Sequence, residues 1–435
     1  MWTILLLLLA CDTDGENNRN TNSEDNQDFD GDGDGDGDDN NQPSSNSVTY
    51  YEDIQPMLAQ NCTRCHVAGG LGVGDFTDLE LLTSFAPSML ASIDAGRMPP
   101  PAADPGCNEY VGADALTISA AERDLLADWI DADMPMGDPA DAPDIEPVSG
   151  ELSDPDIVMM MPAPYTPTFE DTINPGNEYR CFVLDKPTDE AFYITSMAPV
   201  IDNSALVHHS VLFTMRKNAV TDQMRDPNGV NCIGGMGPNA IKGIIGAWAP
   251  GMLPVEFPSN AGLLIEANRE VILQMHYYAA PDDGTQSDQS GYAFKTTDDV
   301  DTRVMMMPFA DYDFVIPAGD DNYTITRSLD NNFDDAKILG TFPHMHVLGS
   351  RFDAKRINAD GTETCLVTGE YDFDNQMTYM FNEPVSLNNG DKVEISCTWN
   401  NSTSNPDRYF DEPQDTRFGE RTNEEMCYFF TLLTL

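Results

Sequence analysis

Positive charge and histidine are the scarce commodities of this 435-residue sequence. Lysine and arginine together number 22 against 74 aspartates and glutamates, a formal net charge of -52. A nucleic-acid backbone is bound through a basic footprint, so nucleic acid is excluded as a partner. No apolar run reaches the ~20 residues that cross a bilayer as a helix, which excludes a spanning helix. What is present is ample apolar material: 40% of the residues are hydrophobic, enough for a sizeable core in a chain long enough for about three domains.

The opening residues address the chain. The apolar run at 2–10 has the length of a secretory h-region. Ala10 directly before Cys11 resembles a bacterial lipoprotein cleavage box, with residues 1–11 the signal and the lipid-bearing cysteine. The expectation is an exported protein, lipid-anchored to a bacterial membrane and facing the periplasm or the cell surface. Residues 12–47 carry the Asp-Gly repeat from Asp30 to Asp38. Like charges and glycine prevent packing there, so this stretch reads as an acidic disordered tether.

Only six histidines occur, and they are grouped: His66 in Cys62-Thr-Arg-Cys65-His66, then His208-His209, His276, and His344-Met-His346. Such economy points to ligation. Two thiols at the first spacing can add across the vinyl groups of a haem while the next imidazole takes the iron, which is covalent haem c attachment. A redox Cys-x-x-Cys would sit in a βαβ context, and half a zinc site would need more nearby ligands than Cys107; neither condition is met. Met98, ahead of three prolines that stiffen the backbone, is the expected second axial ligand. Its rivals are Met57, Met89, Met134 and Met136. A helix over about 51–60 and another after the capping box Ser119-x-x-Glu122, with Leu125, Leu126, Trp129 and Ile130 on one face, complete an order that resembles a small class I cytochrome c over residues 48–138.

Residues 139–150 read as a linker. Beyond them the apolar period changes to two. Expected strands fall at 178–184, 191–197, 207–215, 270–278, 303–307, 323–327, 338–346 and 392–398, with no long helix. The fold class is mainly β, with sandwiches or jelly rolls after the small helical domain. On a strand, His344 and His346 leave the same face. His208 and His209 would point to opposite faces unless the backbone bulges there. His276 can then close a three-nitrogen site. Imidazole alone permits zinc, copper, nickel or iron.

Four motifs, His208-His209-Ser-Val-Leu-Phe, Gln274-Met-His276-Tyr, Pro343-His344-Met-His346-Val-Leu-Gly349 and Asn423-Glu-Glu-Met426-Cys427, occur in this order. Together they resemble the copper type II, ascorbate-dependent monooxygenase family, which includes peptidylglycine alpha-hydroxylating monooxygenase and dopamine beta-monooxygenase. The resemblance implies two jelly-roll-like sandwich domains, at 151–298 and 299–435, with one copper each. It implies that His208, His209 and His276 hold an electron-transfer copper. It also implies that His344, His346 and Met426 hold the copper at which O₂ and substrate react. It implies a disulfide from Cys427 to a preceding strand, for which Cys397 is the natural partner. The peptide-amidating members have an arginine two residues before the His-x-His pair, and a polar residue then a tyrosine after Met-Cys. Here Phe342 and Tyr428-Phe429-Phe430 stand there, so groups that would anchor a peptide carboxylate are missing. The expectation is an enzyme hydroxylating a C–H bond of a small, weakly polar organic substrate with O₂. Its electrons would be relayed from the haem, and originally from ascorbate or a donor protein. The alternative is a non-enzymatic haem and copper electron-transfer or copper-binding lipoprotein. The cysteines not yet assigned, Cys107, Cys181, Cys232 and Cys365 beside Cys397 and Cys427, are even in number, as expected of disulfides in an exported chain.

Overall fold

The computed structural model describes residues 48–70, 72–173, 175–232, 243–279 and 286–434. The expected lipid-anchor Cys11, the signal and the tether lie outside the described residues. No helix among the described residues is long and apolar enough to cross a membrane.

The chain enters through a π-turn at Tyr50–Ile54 that runs into the helix Gln55–Asn61. The helix Ala120–Asp131 begins at Ser119, whose hydroxyl and Glu122 form the expected capping box. Between them lies a helix that periodicity did not disclose, Leu79–Asp94, which contains Pro87. It starts where the Asp78 carboxylate accepts the backbone N–H groups of Glu80 and Leu81. These helices close over Ile54, Leu58, Leu82, Leu126 and Trp129, a small core of their own.

The rest is mainly β, in sandwich-like sheets. A nine-stranded sheet runs Ile157–Met160, Gly291–Thr297, Phe192–Val200, Ala261–Ile265, Thr302–Asp311, Cys427–Thr434, Ala336–His344 and Tyr379–Leu387, with Val255–Glu256 paired to the side. A five-stranded sheet of Val230–Asn231, Asn177–Val183, Arg269–Tyr278, Val207–Arg216 and Ile244–Trp248 belongs to the first half. A four-stranded sheet of Tyr323–Asp330, Lys392–Trp399, Gly349–Ile357 and Glu363–Glu370 belongs to the second. The large sheet is continuous across residue 298. Thr302–Asp311 pairs in parallel with Ala261–Ile265 on one side and antiparallel with Cys427–Thr434 on the other. Cys427–Thr434 is buried along its whole length, as befits a central strand covered on both faces. One apolar cluster accordingly runs through both halves.

The same cluster takes in Ala103, Tyr110 and Leu116 of the N-terminal part. There the chain makes isolated bridges, Ala103 with Gly369 and Tyr110 with Phe381. The Ala103 N–H donates to Tyr379 Oη at 3.1 Å. A disulfide, Cys107–Cys365, closes the contact across 258 residues of sequence. Cys181–Cys232 and Cys397–Cys427 complete the set, so the pairing that the family resemblance implied for Cys427 is present.

Candidate active site

The first cluster is built by strand register. His209 and His276 are direct cross-strand partners, and the pairing slips between Val207 and His209. That bulge makes His208 the extra residue and lets two adjacent imidazoles face one point. His208 Nδ1 lies 3.0 Å and His276 Nδ1 3.3 Å from His209 Nδ1. The outward nitrogens are committed. His208 Nε2 meets Asp374 Oδ1 at 2.9 Å and His276 Nε2 meets Asn177 Oδ1 at 2.7 Å. Both oxygens are acceptors, so each Nε2 carries the proton and each Nδ1 keeps a lone pair aimed inward. Three ring nitrogens crowded this way suit a cation. Burial holds His209 and His276 well below the usual imidazole range, with neighbouring imidazoles adding to the effect. Tyr179, the cross-strand partner of His276 on its other side, stacks on that ring at 4.2 Å.

The second cluster follows the same logic. Phe342 pairs with Phe430 and His344 with Tyr428. Side chains alternate along a strand, so Phe342 and His344 share a face with Phe430 and Tyr428. Met426, two residues further along, joins them. The expected strand over 338–346 is corrected at its end: it stops at His344. His346 lies beyond it because the Glu425 carboxylate captures the N–H groups of His346 and Leu348 at 2.9 and 2.8 Å. The turn still brings the two imidazoles together, with ring centroids 5.3 Å apart. His344 Nδ1 donates to Gln376 Oε1 at 2.5 Å and His346 Nδ1 to the Glu424 carbonyl at 2.9 Å. Each Nε2 is therefore the free lone pair. Burial lowers His344 to about 4 and His346 to about 3, so both rings are neutral and able to ligate at neutral pH.

His209, His344, His346 and Met426 line one cavity of about 90 Å³, walled mainly by Phe342, Tyr428, Phe430 and Trp248. The rings of His209 and His344 stand only 6.0 Å apart. Among the described residues, Glu420 is the one acidic side chain on the wall and no lysine or arginine lines it.

The comparisons agree with this geometry. The family model described as "Copper type II ascorbate-dependent monooxygenase, N-terminal domain" matches residues 168–283, and its C-terminal counterpart matches 302–433. Between them they account for more than half of the chain. The chain belongs to the copper type II, ascorbate-dependent monooxygenase family. A relative, tyramine beta-hydroxylase of Caenorhabditis briggsae, is 31% identical over 135 residues, which is 28% of this chain and 22% of the relative. Solved structures are similar only remotely. The major capsid protein P2 of bacteriophage PM2 has 6% identity and a TM-score of 0.26, covering 64% of this chain and 97% of that one. Infectious bursal disease virus VP2 has 13% identity and a TM-score of 0.18, covering 64% of this chain and 70% of that one. Likeness at that level carries no argument.

Glu425 is the residue beside the second cluster that the motif contained but whose part was not seen. It is fully buried and also accepts from Trp399 Nε1 at 2.8 Å and from the Met426 N–H at 3.2 Å. Burial pushes its carboxyl up to about 7 against the pull of these donors. Glu425→Ala leaves several buried N–H groups without an acceptor, at about 1–3 kcal/mol each. The expected result is a clear fall in the urea midpoint together with weaker copper binding at the second cluster. Glu425→Gln, which keeps an acceptor oxygen, should lose less.

The copper-monooxygenase halves also form one wall of a second, larger cavity. It measures about 810 Å³ and is lined by Cys62, Cys65, His66, Met89 and Met98 on one side and by His208, Tyr278, Asp372 and Asp374 on the other. Neither Cys62 nor Cys65 is in a disulfide. His66 stacks on Phe76 at 4.2 Å. Its Nδ1 donates to the Val73 carbonyl at 2.9 Å, which leaves Nε2 free. A Cβ at position 72 would sit 2.5 Å from that ring, so only glycine fits beside it. Of the methionines considered, Met98 and Met89 line the cavity. Met57, Met134 and Met136 pack in or against the helical core instead. Arg64 and Arg97 also line it, and Arg64 Nε and Nη1 are buried without a hydrogen-bond partner.

Proposed function

We propose that this chain is a copper-dependent monooxygenase that hydroxylates a C–H bond of a small, weakly polar organic substrate with O₂, with electrons relayed from a covalently bound haem c. The observation that carries the reading is the pair of facing clusters, in which four of the five histidines have one ring nitrogen committed to an acceptor oxygen. His208, His209 and His276 would hold one copper and His344, His346 and Met426 the other, the thioether favouring the reduced ion. When bound, copper supplies O₂ activation and one-electron storage, and haem c supplies single electrons at a relatively high potential.

The chain's own residues do the rest. Phe342, Tyr428, Phe430 and Trp248 exclude water from the cavity and present an apolar wall to the substrate. The stacking of Phe342 against His344, with centroids 6.0 Å apart, fills the place where a peptide-amidating enzyme would have its arginine. Among the described residues a carboxylate finds no cation on this wall, which supports a substrate without one. Tyramine, the compound in the relative's name, is a small aromatic amine that the aromatic wall and Glu420 would accommodate, and it is a reasonable first substrate to assay.

Several features support the haem reading. The cavity of about 810 Å³ lies within the roughly 300–1,000 Å³ of small-molecule and cofactor pockets. Cys62 and Cys65 would bear the thioethers, with His66 Nε2 and Met98 as axial ligands. Met98 is preferred to Met89 because it is 39% exposed and thus not committed to the core. Arg64 Nε and Nη1, buried without a hydrogen-bond partner, would suit an anion such as a haem propionate. The three disulfides support the proposed export, since they persist in oxidising compartments. The proposed anchor at Cys11 would hold the protein at a membrane there.

Loading the protein with copper and supplying ¹⁸O₂, ascorbate and either tyramine or a glycine-extended peptide tests the reading. Incorporation of ¹⁸O into the amine, with the peptide untouched, is the expected outcome. Efficient peptide amidation would refute the substrate assignment, and no copper-dependent incorporation into tyramine or a panel of other small aromatic compounds would refute the enzyme.

A further inference from the structure

The six residues 371–376, between the strands Glu363–Glu370 and Tyr379–Leu387, carry no motif and no periodicity. Yet successive side chains in this loop are engaged at different centres. Tyr371 Oη accepts from the Met345 N–H at 3.0 Å and donates to its carbonyl at 2.6 Å, clamping the residue between His344 and His346. The Phe373 ring stacks on His208 at 4.6 Å and meets His346 edge-on at 6.2 Å. Asp374 holds His208 Nε2, and Gln376 holds His344 Nδ1. The Gln376 amide cannot turn over, because its nitrogen donates to the Phe373 carbonyl at 2.9 Å. Asn375 donates to the Pro101 carbonyl, at 3.1 Å, beyond the methionine loop of the N-terminal part.

Resting on the copper assignment above, we infer that loop 371–376 is a shared positioning element, which sets the ring orientation and tautomer of one histidine in each copper cluster and holds the two clusters in register. A ligand's outer hydrogen bond decides which ring nitrogen keeps its lone pair and where that lone pair points. His208 belongs to the first half of the chain and Asp374 to the second, so the first cluster is not complete within its own half. Phe373, lying against one ring of each cluster, transmits a displacement of either to the other.

The test uses the full chain with Asp374→Ala, Asp374→Asn, Gln376→Ala and Phe373→Ala. Two quantities are read. One is the histidine tautomers of the metal-free protein, by ¹⁵N NMR. The other is Cu(I) affinity at each cluster, by competition with a chromophoric chelator. Asp374→Ala is expected to release the Nε2–H tautomer of His208 and to weaken the first cluster by about 10–100-fold, the usual cost of losing an outer-shell partner, with the second cluster barely changed. Asp374→Asn, which still offers an acceptor oxygen, should restore the tautomer and most of the affinity. Gln376→Ala should do the converse at the second cluster, and Phe373→Ala should weaken both. Gln376 is 1% exposed and its variant could misfold. The Asp374 side chain is 82% exposed, so its two variants decide the matter alone. Unchanged tautomers and affinities in Asp374→Ala, in a protein that binds two coppers, would overturn the inference and leave the enzyme reading intact. A native chain that binds no copper would overturn both, and the NMR would then show whether the Asp374–His208 bond exists at all.

Discussion

His346→Ala is expected to lower the copper content from two ions per chain to one and to reduce oxygen incorporation by more than about 100-fold. Loss of an outer-shell partner alone costs 10–100-fold, and this substitution removes the ligand itself. His346 is 3% exposed, and its ring faces His344 on one side and Phe373 on the other. The fold should survive, because the Glu425 carboxylate grips the backbone N–H of residue 346 and not its side chain. Atomic absorption, the urea midpoint and product analysis together check the result. A variant that still carries two coppers and turns over would remove His346 from the site.

Cys62→Ser together with Cys65→Ser should abolish the haem absorbance of the denatured protein while leaving two coppers per chain. The decisive reading is stopped-flow. In the native protein, reduced haem should be oxidised much faster when copper and O₂ are both present than when either is missing. The double variant should fail to turn over with a protein electron donor, yet recover with excess ascorbate. The geometric reason is that His208, a wall of the cavity containing Cys62 and Cys65, is also a member of the first histidine cluster. Haem oxidation that is indifferent to copper would eliminate the relay. Full activity of the double variant with a protein donor would eliminate it too.

The legibility of this site was uneven, for physical reasons. The two histidine clusters were readable because imidazoles were so few that their spacing carried information. The bulge at His208 could be anticipated, because two adjacent side chains cannot share a face of a regular strand, and the slipped register shows it. The eight expected strands are all present. The acceptors behind the histidines were not readable. Asn177, Asp374 and Gln376 are ordinary residues in a sequence rich in carboxylates, and only the fold brings them to within 3 Å of a ring nitrogen. The partner of Cys107 was unreadable for the same reason, since it lies 258 residues away. The helix Leu79–Asp94 was missed although Asp78 marks its start, and Pro87 sits within it. The continuous sheet was missed as well, because a parallel pairing as short as that of Thr302, Arg303 and Val304 with Ala261, Gly262 and Leu263 leaves no trace in periodicity.

The Cys107–Cys365 bridge has a consequence for proteolysis. It turns the polypeptide into a closed circuit, which includes the exposed acidic stretch around Asp138, Asp141 and Asp144. A protease that cuts there liberates nothing: the severed pieces stay in one covalent object, at the same mutual concentration as before, until a thiol arrives. The N-terminal part with Cys62 and Cys65 and the β part with both histidine clusters therefore separate only after reduction.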